Sequence, residues 1–214
     1  MSTSGTSTDQ TAATLPPPVA VRSLAGGLLL MAGFTVGWAS LAPYGWTGAA
    51  SVLPVVLAVA AALAFAAGAV ALFRDAGRFP PVTDPAEADR GRRIGRAYGL
   101  TFGLEGLVIF VVAATLSRTG NVDYQVPAIA LVVGLHFYPM ARIFDRTVDL
   151  WIASWVTAVA ALGLAAVAGA WAAVPAVWSA VGLGTALGTA AYGVFMLREG
   201  RGLLALLRRQ RPRG

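Results

Sequence analysis

Residues 150–197 read LWIASWVTAVAALGLAAVAGAWAAVPAVWSAVGLGTALGTAAYGVFML, with no charged side chain anywhere in the run. As a single α-helix this run would extend roughly 70 Å at 1.5 Å per residue, more than twice the hydrocarbon thickness of a bilayer. It therefore has to double back. Proline lacks the N–H that a helix interior needs, so Ala173-Val174-Pro175 marks the turn. Two antiparallel membrane spans, 150–172 and 175–197, follow from this one stretch.

Four further apolar runs, at 21–41, 49–73, 97–116 and 126–144, bring the total to six. The expected fold is an all-α integral membrane bundle of six transmembrane helices. Composition agrees: the chain is 57% hydrophobic and 12% charged, whereas soluble domains carry about 25% charged residues. The run at 126–144 is the least apolar of the six, and charge placement decides that it stays. With six spans and both termini on one side, every arginine except Arg118 faces a single compartment. Without that span the C-terminal arginine cluster would lie on the opposite side. By the positive-inside rule both termini are cytoplasmic and the protein sits in the cell (inner) membrane. The net charge of +6 comes from arginines flanking apolar spans, so it does not describe a nucleic-acid surface. The basic C-terminal segment also lacks the aromatics that stack on bases. All 16 basic residues are arginine; with the heavy Ala, Gly, Val and Leu usage, this looks like the codon bias of a GC-rich bacterial genome.

Outside the spans, residues 1–20 are rich in Ser and Thr and end in Pro16-Pro17-Pro18. They read as a disordered tail, and the missing positive n-region argues against a signal peptide. The segment 74–96 reads as a solvated linker with a helix from Pro85 onward. The loops on the other side are too short to fold by themselves, and Trp46, Tyr124 and Trp171 fall where interfacial aromatics sit. Residues 198–214 form a basic cytoplasmic tail, in which Leu203-Leu204-Ala205-Leu206-Leu207 and the following arginines suit an amphipathic helix held by anionic lipid. The likeness between 58–71 and 158–170 is one of Ala-rich composition rather than of a repeat.

Much chemistry is excluded. The chain has no cysteine and one histidine, which removes disulfides, thiolate metal sites, multi-histidine zinc and bis-histidine haem. It contains no P-loop, G-x-S-x-G or H-E-x-x-H motif. No metal or cofactor is expected, and an enzyme is the least favoured class.

Two titratable residues interrupt the apolar spans. Glu105 lies about 13 Å into the third span and His136 about 15 Å into the fourth, both near the middle of a bilayer. A charge at that depth is costly, so it is rarely present without a partner or a purpose. The two spans share a short loop and are expected to be antiparallel neighbours. Gly99, Gly103 and Gly106 allow close helix approach on one side of span three, with Thr101 one turn before Glu105. Pro139 leaves the Leu135 carbonyl without its helical donor beside His136. The pair suits a proton-linked transporter or channel, with Glu105, His136, Thr101 and Pro139 as relay or ligand-binding candidates. The alternative is a structural or accessory membrane protein in which the pair is an interhelical hydrogen bond. The third is a membrane-embedded enzyme or a haem- or quinone-binding protein.

A second cluster, Arg142, Asp145, Arg146 and Asp149, closes span four. A continuing helix would place Arg142 with Asp145 and Arg146 with Asp149 as i,i+3 pairs, in an interfacial charge belt or a cytoplasmic gate. Trp151 and Trp155, one turn apart, read as interface anchors. Small-residue faces in the second, fifth and sixth spans suit a homo-oligomer or a membrane partner.

The stretch Gly134-Leu135-His136-Phe137-Tyr138-Pro139-Met140-Ala141-Arg142 resembles a motif of small multi-pass bacterial membrane proteins without an established activity. The resemblance covers span four and implies that His136 and Pro139 belong to a shared plan.

Overall fold

The computed structural model describes residues 15–210. Most of the expected N-terminal tail, together with Arg211 and Arg213 of the basic tail, lies outside the described residues. Within them every regular element is helical: α1 (Pro18–Ala39), α2 (Ala42–Gly45), α3 (Ala49–Asp75), α4 (Pro85–Arg118), α5 (Gln125–Phe144), α6 (Thr147–Ala168) and α7 (Val174–Arg209), with 3-10 turns at Ala76–Arg78 and Val122–Tyr124. Six helical segments are long and apolar enough to cross a membrane, the first comprising α1 and α2 together. The connections between them are short, so successive helices run in opposite directions. That alternation gathers the arginines of the described residues, Arg118 excepted, at one end of the bundle.

The turn read from residues 173–175 is present. α6 stops at Ala168, Ala173 occupies the N-cap of α7, and Pro175 lies in the first turn. There its missing N–H would have no helical partner in any case. At the first turn of α4, the Asp84 carboxylate accepts the Ala86 N–H at 2.9 Å. Pro85 follows at the first helical position and Glu87 sits near the positive end of the helix dipole.

The core forms around α7, which packs against α1, α2, α3, α5 and α6. Its small residues make this possible. A Cβ on Gly193 would come within 2.3 Å of the Phe65 ring, and one on Gly182 within 2.7 Å of the Trp38 carbonyl and the Leu41 Cβ. A Cβ on Gly184 would meet Val159, and one on Gly200 would meet Leu72. The small-residue face of α7 is thus occupied within the chain. Polar contacts add direction. Ser179 is fully buried; its hydroxyl accepts the Gly45 N–H at 2.9 Å and lies within donating distance of the Leu41, Ala42 and Pro175 carbonyls. It fastens the α2 corner to the start of α7. Thr35 of α1 reaches Thr189 of α7 at 3.1 Å.

Three features differ from the sequence reading. First, residues 198–209 continue α7 instead of forming a separate surface helix. Close packing of Gly200 on Leu72 and burial of Leu204 in the main core hold the extension against the bundle. Second, α4 is unbroken from Pro85, so its 34 residues extend about 51 Å at 1.5 Å per residue, well beyond a bilayer core. Third, Gly99, Gly103 and Gly106 do not bring another helix close, since a Cβ at any of them meets nothing within 4 Å. α4 packs chiefly against α5, and Glu105 is its one buried residue among the described residues.

Candidate functional site

The site begins where α4 and α5 face each other. Glu105 Oε1 lies 2.9 Å from His136 Nδ1, with the two side chains 6% and 12% exposed. The carboxylate oxygen sits off the imidazole N–H axis, so the contact has the distance of an ion pair without the alignment of a hydrogen bond. In a low-dielectric setting two ionisable groups this close interact strongly. Antiparallel packing after a short connection sets the register. The α4–α5 pairing is reinforced toward the arginine-rich end by Tyr98, whose ring lies 6.0 Å from that of Phe144.

Beside the carboxylate is a cavity of about 440 Å³ between α1, α4 and α5. Phe34, Gly37 and Trp38 line it from α1 and Leu41 from the α1–α2 corner; Phe102, Glu105, Gly106 and Ile109 from α4; Val126, Ile129 and Val133 from α5. Glu105 is its sole charged group among the described residues. His136 is not in the lining, so the carboxylate separates imidazole from cavity.

The other candidates are placed differently. The Thr101 hydroxyl is spent on its own helix, donating to the Ala97 carbonyl at 2.9 Å. Pro139 lies inside α5 but on its exposed face, away from the cavity. The two i,i+3 pairs of the charge cluster do not form, because α5 ends at Phe144. Asp145 adopts a left-handed conformation (φ 52°, ψ 52°) and Arg146 becomes the extended N-cap of α6. Two antiparallel helices joined this tightly need a sharp reversal, which Asp tolerates better than most residues. Arg146 instead sits over the Phe144 ring at 5.3 Å, and Arg142 and Asp145 are exposed.

Asp149 departs most from expectation. It is fully buried, and neither carboxylate oxygen completes a hydrogen bond. The Tyr192 hydroxyl of α7, the Arg146 guanidinium and the His136 imidazole are the groups that act on it electrostatically. The Tyr192 ring in turn packs edge-on against Phe137, the neighbour of His136, at 5.5 Å. A buried carboxylate is expensive unless such groups compensate it. Its signal was in the sequence: Asp149, Ile152, Ala153, Val156, Ala160 and Gly163 lie on one helical stripe, and that stripe is buried. Tyr192 had no comparable signal. The Trp155 indole N–H donates to the Gly184 carbonyl of α7 at 2.8 Å, while its side chain stays half-exposed. Trp151 is 74% exposed.

Among the described residues no group of three or more His, Cys, Asp or Glu side chains is placed to hold a metal ion. Neither family models, nor curated proteins, nor solved structures give a match to this chain.

Proposed function

We propose that this chain is a small inner-membrane transporter that couples proton movement to a solute through Glu105 and His136, with the arginine-rich end cytoplasmic. One observation carries the reading: Glu105 touches His136 on one side and lines a cavity on the other. A carboxyl in that position exchanges its proton with the imidazole or its charge with a solute, and each event changes the other. His136 lies roughly 12 Å from the α5 terminus and Asp149 roughly 3 Å into α6, so Asp149 is the next acidic station toward the arginine-rich end. Thr101 and Pro139 have no part in this scheme. Anionic lipid is a natural partner of the exposed arginines Arg201, Arg208 and Arg209 on α7.

Reconstitution in liposomes with a pH-sensitive dye inside tests the proposal. The wild-type chain should give pH-dependent solute flux, and Glu105→Gln and His136→Ala should abolish it. Variants that keep the wild-type melting temperature and the wild-type flux would sink the relay.

A second reading has its own support. Glu105 is the buried residue of α4, and the pair is a polar tie between that helix and α5. If the pair is only a fastening, both substitutions lower the melting temperature and no flux is present to lose; such interhelical bonds average about 0.6 kcal/mol.

A further inference from the structure

The cavity beside Glu105 has a chemistry of its own. Its volume of about 440 Å³ lies in the range of small-molecule sites, roughly 300–1,000 Å³. Three aromatic side chains, Phe34 and Trp38 from α1 and Phe102 from α4, share the lining with one carboxylate. The rest is aliphatic or glycine, and no arginine contributes. An anion would find no counter-charge there. A sugar or a zwitterion would have to shed its hydration into apolar walls with few polar groups to replace it. A lipophilic cation meets neither problem, because its bulk is desolvated cheaply and its charge faces Glu105 and the faces of aromatic rings. Access is lateral. α4 packs chiefly on α5, and Gly37 and Gly106 leave open space where side chains would otherwise fill the gap between α1 and α4. A solute dissolved in the membrane can reach the carboxylate without crossing a polar vestibule.

We propose that the substrate class of this site is a lipophilic monovalent cation, bulky and aromatic or aliphatic, which enters from the bilayer between α1 and α4 and displaces a proton from the Glu105–His136 pair. This rests on the transporter reading above and names its cargo. The titratable groups facing Glu105 are His136 from α5 and Tyr98 from its own helix, while the α1 side of the cavity presents none. Cation and proton therefore compete for the pair, and affinity should rise with pH.

The test uses the full chain in detergent or nanodiscs and tetraphenylphosphonium as probe, measured by equilibrium dialysis and by proton release in weakly buffered solution. Saturable one-to-one binding with proton release is expected, weakening as pH falls. Glu105→Gln should reduce affinity roughly tenfold or more, as truncating one partner of a buried charge pair does. Gly106→Leu should block binding while leaving Glu105, His136 and the fold in place, since a side chain there grows into empty space. It also covers the case in which Glu105→Gln fails to fold. Neutral triphenylphosphine oxide should bind far more weakly than the cation. Equal binding of the neutral compound, or cation binding unaffected by both variants, overturns the proposal and leaves an apolar lipid pocket, without touching a proton relay measured as flux. Glu105-dependent cation binding with no coupled flux in liposomes would instead keep this site and remove the transporter.

Discussion

Glu105, His136 and Asp149 differ in what surrounds them, and that difference separates their expected behaviour on substitution. Glu105 and His136 have each other. Asp149 is wholly buried and faces the Tyr192 hydroxyl and the Arg146 guanidinium. Asn keeps the shape and the oxygen that faces the Tyr192 hydroxyl while removing any cost of burying a charge, so Asp149→Asn should leave the melting temperature unchanged or raise it. If Asp149 is a relay station, the same variant should lose pH-dependent flux. A melting curve and a liposome flux assay on one protein preparation distinguish the outcomes, and unchanged flux removes Asp149 from the path. The residues also differ in how readily they were read. Glu105 and His136 stood out because an ionisable group in an apolar span is conspicuous in any single sequence. Asp149 was read as part of a charge belt because it follows Arg142, Asp145 and Arg146; helical phase, not local charge, was the better guide. Thr101 and Pro139 were drawn in by proximity along the helix, and rotation about the helix axis takes Pro139 to the exposed face.

Helix α7 and helix α4 are opposites in the use of glycine. On α7 the glycines are contact points: Gly193 against Phe65, Gly200 against Leu72, Gly182 against the α1–α2 corner. On α4 the glycines face open space. Gly193→Ala should therefore destabilise the bundle by about 1–3 kcal/mol through overpacking against Phe65. Gly103→Ala should be neutral or stabilise by about 0.5–1 kcal/mol, since Ala is the better helix former and has room. Thermal or denaturant unfolding of the two variants in the same detergent checks both signs, and equal effects would mean that the packing around α7 is wrongly assigned. Helix positions were legible from apolar runs, the Pro175 turn and the Asp84-Pro85 start. Which glycine faces are occupied was not, because small residues permit close approach without specifying a neighbour. The same limit applied to the Leu-rich end of α7. Its leucines signal an apolar face, and only the position of α3 beneath them shows that the chain itself covers it.

Across the whole molecule the alternation of six spans sets a direction that single residues cannot. The chain has no native cysteine, so single reporters can be introduced without background. Gly91→Cys, in open space near the start of α4, should resist a membrane-impermeant maleimide applied to intact cells, while Ser117→Cys, exposed at the other end of that helix, should react. The reverse pattern would invert the orientation assigned from the arginines. The number of spans was legible because hydrophobic length is a one-dimensional quantity; the lateral arrangement was not, because helices in lipid lack a hydrophobic drive to choose neighbours. That arrangement has a consequence for biosynthesis. The helix at the centre, α7, is the last of the six to leave the ribosome. Until it arrives, α1 and α3 can associate with each other, and α5 with α6, but the groove that Gly182, Gly193 and Gly200 fill stays vacant. The early helices must wait as two loosely joined groups. Their final order is fixed by a helix they meet only after all of them have been made, so a ribosome stalled before residue 174 would leave the earlier helices without a completed fold.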